Sequence, residues 1–206
     1  NLLLDDILKD ATNDTADEND NLSTPMGKLG KLASRVLMKI LYAARYARFD
    51  LLRPVNHLSC HVTKWTTWCD KALHKLVCYI HGTYSYRQCG YIGDNAEDLK
   101  VTFWSDAGFA NCPTSQRSCT GVQVALTGPH TLYPLAASSK RQTAIATSST
   151  EAEVVAAFTC MKVFMIAFIE LWSQVWQRQV IGDFREDNTA MIQVCKTGKN
   201  PTMKAL

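Results

Sequence analysis

A chain of 206 residues, 47% hydrophobic and 20% charged, suits one ordinary globular domain, or a small domain plus a helical piece, and excludes a wholly disordered chain. The net charge of +3 conceals an asymmetry: the first 20 residues hold seven acids and one base, which leaves 21 Lys+Arg against 12 Asp+Glu, a balance of +9, in the rest. A basic body suits a polyanionic partner.

The eight cysteines form no Cys-x-x-Cys pair. With no signal peptide and no apolar run long enough to span a bilayer, they read as reduced, mostly buried thiols of an intracellular protein that needs no membrane. His57 and His61, with Cys60 and Cys69 nearby, have zinc-like spacing. No paired second half accompanies them, so an ordinary helix face is the preferred reading.

In chain order, residues 1–30 form an acidic lead-in, poor in apolar residues and expected to be flexible. Its opening "LLLDDILKD" has an Asp-Asp pair of the polymerase kind, but no polymerase palm follows, and a frayed end is preferred. Residues 31–92 read as a small helical region. "RVLMKILYAARYARFD" is an amphipathic helix with Val36, Ile40, Leu41 and Ala44 at helical spacing. "PVNHLSCHV" and "CDKALHKLVCYIHGT" give two more helices, the last stopped by Gly82. "YSYRQCGYI" then alternates as a strand does, and "GDNAED" is a turn.

Residues 93–206 read as an α/β layered domain. "LKVTFWSDA", "SCTGVQVALTG" and "TLYPLAASS" are three strands, and a long apolar helix runs from Thr150 to about Gln177. "QVIGDFRED" is a fourth strand, followed by a helix in "NTAMIQVCKTG" closed by Gly198.

Asp106 and Asp187 then fall at the ends of the first and fourth strands, where α/β sheets gather their sites. Glu153 falls in the first turn of the long helix. Three such carboxylates can hold Mg²⁺, a hard cation that takes oxygen ligands, and two such ions can support phosphodiester hydrolysis. Plainer readings exist: Asp106 starting a turn, Asp187 capping the next helix. Glu151 and Glu153 both fit capping boxes, Ser148-x-x-Glu151 and Thr150-x-x-Glu153. Two residues apart is about 200° around a helix, so they face different ways. Glu153 shares its stripe with Ala156, Ala157, Cys160, Phe164 and Ala167, whereas Glu151 projects toward the Lys162 side. Glu153 is accordingly the ligand and Glu151 the cap.

Three blocks, "FWSDAGFANCPTSQRSCTGVQVAL", "PLAASSKRQTAIATSSTEAEVVAAF" and "REDNTAMIQV", resemble in order and spacing the ribonuclease H domain of Ty1/copia-type retrotransposon polyproteins. Shared features are Ser-Asp-Ala, Arg-Ser-x-x-Gly (Arg117, Ser118, Gly121), Ser-Ser-Lys-x-Gln, Ser-Ser-Thr-Glu-Ala-Glu and Asp-Asn before a helix. Gly108 and Phe109 replace the family's Asp-Trp. The helical region resembles the connection segment of the reverse transcriptase, so the likeness spans about residues 33–206.

The resemblance implies a ribonuclease-H-like mixed sheet with flanking helices, truncated before the family's fourth metal-binding Asp. It implies cleavage of the RNA strand of RNA–DNA hybrids with two Mg²⁺ (or Mn²⁺) ions on Asp106, Glu153 and Asp187, by in-line attack of water. Lys140, Arg141 and Arg117 are candidates for the hybrid's phosphates, with a solvated turn as the alternative for Lys140 and Arg141. The remaining partner is the rest of the reverse transcriptase polyprotein, in the cytoplasm within virus-like particles or in the nucleus. The alternatives are an inactive nucleic-acid-binding or structural remnant, and a DNA nuclease or integrase of the same fold.

Overall fold

The computed structural model describes residues 26–112 and 115–198. The Asp5–Asp6 pair, nearly all of the acidic lead-in and the closing "KNPTMKAL" lie outside them. The described residues form two compact units that divide between Arg87 and Gln88.

The first unit is helical: α1 (Gly30–Ala47), α2 (Leu52–Ser59) and α3 (Thr67–Gly82), with 3₁₀ turns at Phe49–Leu51 and Val62–Lys64. The buried stripe of α1 is Ala33, Leu37 and Ala44, while Val36, Ile40 and Leu41 are only half-buried. The stripe is thus turned slightly from the one expected, so that two small alanines allow close packing on α2. Leu29, at the start of α1, has no capping side chain. Asp70 of α3 replaces it, accepting from the backbone N–H of Lys28 and Leu29 and from Trp65 Nε1 at 2.6, 3.1 and 2.7 Å; orphan helix N–H groups require such an acceptor. At the other end Arg48 pairs with Asp50 at 2.7 Å and donates to the Thr83 carbonyl, and Tyr79 Oη donates to the same Asp50.

Tyr84–Ile92 is not a strand. It makes one bridge, Tyr91 with Leu132, through two 3.0 Å hydrogen bonds. Its pairing with β3 stops at that bridge, and Gly90 lies so close to the Tyr133 ring that a side chain there has no room.

The second unit is mixed α/β. Strands β1 (Lys100–Gly108), β2 (Cys119–Gly128), β3 (Thr131–Arg141) and β4 (Gly182–Arg185) form one sheet in the order β3-β2-β1-β4. The first three are antiparallel and β4 runs parallel to β1. That parallel pair requires a crossover, supplied by the continuous helix Ser149–Trp176: α4 (Ser149–Cys160), a π-helical turn (Met161–Met165) and α5 (Ile166–Trp176). Helix α6 (Thr189–Thr197) follows and ends at Gly198, whose φ of 67° is the left-handed conformation expected of a closing glycine.

The core is Val101, Phe103, Val122, Val124, Leu126, Cys160 and Val180, with Phe164, Met165, Phe168, Ile169, Trp172 and Trp176 packed against it. The π turn explains a departure from the expected stripe. Ala156, Ala157 and Cys160 are buried, but Ala167 is exposed. One extra residue in a turn rotates everything beyond it, so Phe168 faces the sheet instead, edge-on to Phe103 at 6.5 Å.

The opposite face of this helix is apolar and exposed: Phe158, Val163, Ile166, Leu171 and Val175 are each more than half accessible. At 28 residues it is long and apolar enough, by length and composition, to cross a membrane. This corrects the expectation of no such run. Lys162 and Glu170 interrupt the apolar residues in sequence, whereas the helix carries through both. The thiols also differ from expectation. No disulfide is present among the described residues, but only Cys69, Cys119 and Cys160 are buried, and Cys78, Cys89 and Cys195 are exposed.

Candidate active site

The sheet register assembles the acids. Asp106 lies within β1, opposite Gly121 of β2, which in turn faces Ser139 of β3. The strand continues to Gly108, so Asp106 does not start a turn. On the other side, β1 and β4 pair in parallel up to Trp104 with Arg185. Carried on by two residues, this register brings Glu186 level with Ser105 and Asp187 level with Asp106. The Ser105 hydroxyl donates to Glu186 Oε2 at 3.4 Å, as that register requires. Asn188, not Asp187, caps α6, its side chain accepting from the Met191 N–H at 2.9 Å.

Glu153 approaches from the first turns of α4. Ser148 caps that helix, accepting from the Glu151 N–H at 3.1 Å. Glu151 Oε2 accepts from both the N–H and the hydroxyl of Thr147, each at 2.6 Å. Glu151 therefore has the structural role expected of it, but it is 1% exposed while Lys162 is exposed. Its bonds to Thr147 draw it inward rather than toward the Lys162 side.

Glu153 is also buried, and its Oε2 has no hydrogen-bond partner among the described residues. Burial, then the charges of Asp106, Glu186 and Asp187, push its carboxyl up to about 7, against a hydrogen bond from the Ala107 N–H. Glu186 is raised as well, by burial and by the charges of Asp187 and Asp106. Four carboxylates from β1, α4 and the segment after β4 thus share one electrostatic neighbourhood. Like charges so placed disfavour the ionised forms of Glu153 and Glu186.

An all-oxygen donor set with a buried, unpartnered carboxylate oxygen fits a hard divalent cation. Among the described residues, however, no group of three or more His, Cys, Asp or Glu side chains is set at distances that would hold a metal.

Gln142 fixes Glu153 relative to the sheet. Its Nε2 donates to Thr120 Oγ1 at 3.1 Å and to the Ala152 carbonyl at 2.9 Å, and its own N–H donates to the Ser118 carbonyl. The basic candidates lie at the same end of the sheet. Lys140 pairs with Thr120, which faces Ala107, and Arg141 pairs with Cys119. Both are within β3 rather than in a turn after it, and Lys140 is exposed while Arg141 is half-buried. Arg117, just before β2, is half-buried. Two strand spacings, roughly 10 Å, separate the Lys140 backbone from the row of Asp106.

His57 and His61 do not join a metal group. Their rings lie 5.3 Å apart and both meet Trp68 edge-on, at 5.8 and 5.7 Å. Burial and the neighbouring His61 and Arg53 lower His57 to about 4.

Sequence reasoning missed Glu186 and Gln142. The signal for Glu186 was the Arg-Glu-Asp run at the end of a strand parallel to the one bearing Asp106. No family model matches this chain, and no curated protein matches it.

Proposed function

We propose that the second unit is a ribonuclease-H-like domain that hydrolyses the RNA strand of RNA–DNA hybrids with Mg²⁺ or Mn²⁺, as part of a copia-like reverse transcriptase. The observation that carries this reading is the shared neighbourhood of Asp106, Glu153, Glu186 and Asp187 at one end of a mixed sheet. The order and spacing of the Ser-Asp-Ala, Thr-Glu-Ala-Glu and Asp-Asn blocks support the substrate class.

On this reading Asp106, Glu153 and Asp187 hold the metal. Bound there, Mg²⁺ supplies activation of water and stabilisation of the leaving oxygen of a phosphodiester. Asp106, at the sheet surface, is open to an incoming phosphate. Glu153 would hold the ion from the interior, in its ionised form. Glu186 steadies the edge through Ser105 and the Asn188 N–H. Lys140, Arg141 and Arg117 offer positive charge to the hybrid's backbone, and recognition rests on shape and 2′-hydroxyls rather than sequence.

A second reading is an inactive nucleic-acid-binding or structural remnant, favoured by the lack of a preassembled metal group among the described residues. Cleavage of an end-labelled hybrid separates the two. Mg²⁺-dependent cutting that disappears in Asp106→Asn supports the nuclease; hybrid binding without cutting, indifferent to that change, supports the remnant.

A further inference from the structure

The crossover helix has a second side that the sheet does not use. Ala156, Ala157 and Cys160 are buried, but Phe158, Met161, Val163, Ile166, Leu171 and Val175 are 41–65% exposed on the outward side. An apolar strip of this extent marks a surface that another molecule covers. Two charges stand on it, and their placement says which. Lys162 and Glu170, both exposed, fall four residues before and four residues after Ile166. Side chains on a helix surface pair at spacings of three or four, so these two, eight apart, do not serve each other. Neither has an ion-pair partner among the described residues; the Lys162 ammonium lies over the Phe158 ring, 5.7 Å from its centre. The strip is self-complementary. When two copies of the helix lie antiparallel and cross at Ile166, residues equally far before and after it face each other. Lys162 of each copy then meets Glu170 of the other, and Met161 meets Leu171.

We propose that the outward side of the crossover helix is a two-fold interface between two copies of this chain, antiparallel and centred on Ile166, with a Lys162–Glu170 ion pair on either side of the centre. A two-fold contact uses the same patch on both copies, so that residue i meets j and j meets i. One base and one acid at equal distances from the centre are what that symmetry needs, whereas a lipid surface gives no reason for such placement. The interface is separate from the carboxylates, since Glu153 of the same helix turns to the sheet, where it meets the Ala107 N–H.

Sedimentation equilibrium of the full chain across micromolar concentrations is the test. The wild-type chain should dimerise, and Ile166→Glu should make it monomeric. Lys162→Glu and Glu170→Lys should each weaken dimerisation on the order of tenfold or more, because like charges then oppose each other across the interface. An equimolar mixture of those two charge variants should recover the wild-type dimer, since both pairs in the mixed dimer again join Lys to Glu. Circular dichroism shows that each variant keeps its fold. A wild-type chain that stays monomeric overturns the proposal, as does one that instead binds phosphatidylcholine vesicles through Ile166. So does a dimer indifferent to both charge variants, or a mixture that associates no better than its components.

Discussion

The Gln142 amide donates to the Ala152 carbonyl at 2.9 Å and to Thr120 Oγ1 at 3.1 Å, so one buried side chain joins the end of the sheet to the residue before Glu153. Gln142→Ala leaves a buried carbonyl and hydroxyl short of a donor, at a cost of about 1–3 kcal/mol. Thermal unfolding should show a lower Tm. Any hybrid cleavage should fall further than that loss of stability explains, because α4 is no longer fixed to the sheet.

Glu151 and Glu153 stand two residues apart with different tasks. Removing the Ser148 cap by Ser148→Ala should cost about 1 kcal/mol. Glu151→Ala should cost more, because the Thr147 N–H and hydroxyl lose their acceptor. Glu153→Gln should leave the fold intact while abolishing metal-dependent chemistry. Urea unfolding and a cleavage assay on the same variants separate the roles, and a catalytic defect confined to Glu151→Ala would reverse them.

The carboxyl of Glu153 is raised from 4.5 to about 7, so its protonated form is the one the fold favours. That contribution to stability is complete below about 4.5 and is lost as the pH rises through about 7. Without divalent metal, stability should decline across this window, and Glu153→Gln should flatten the decline. Mg²⁺ should restore stability at the upper end by binding the ionised native state.

Gly182 shows how the sheet accommodates the long helix. A Cβ there would meet Met165 Cε at 2.8 Å, Ile169 Cδ1 at 2.9 Å and Phe103 Cε2 at 3.0 Å. Gly182→Ala should destabilise by about 1–3 kcal/mol through overpacking. Gly82, with nothing within 4 Å of its Cβ position, is the contrast. Gly82→Ala should be neutral or stabilising by roughly 0.4–1 kcal/mol. Denaturant midpoints decide both.

What is legible in the sequence is periodic or capped. The three helices of the first unit, the four strands and the closing Gly198 follow from apolar spacing and turn residues. The sequence places the acids at two strand ends and a helix start, whereas Asp106 lies two residues inside β1 and Asp187 two residues beyond β4. The π turn at Met161–Met165 leaves no such mark, because an extra residue in a helix changes no local composition, and the expected stripe wrongly includes Ala167 as a result. Tyr84–Ile92 alternates but meets β3 only at the Tyr91–Leu132 bridge, which periodicity cannot reveal. Glu186 depends on the register between β1 and β4, a long-range property that the Arg-Glu-Asp run only hints at.

If the acids around Asp106 form a metal-dependent nuclease site, its most direct test is Mg²⁺-dependent cleavage of an end-labelled RNA–DNA hybrid by the wild-type chain and by Asp106→Asn. Cutting of the RNA strand that requires Mg²⁺ and vanishes in Asp106→Asn is the predicted result. Cutting that survives the substitution, or hybrid binding by both proteins with no cutting by either, would contradict it.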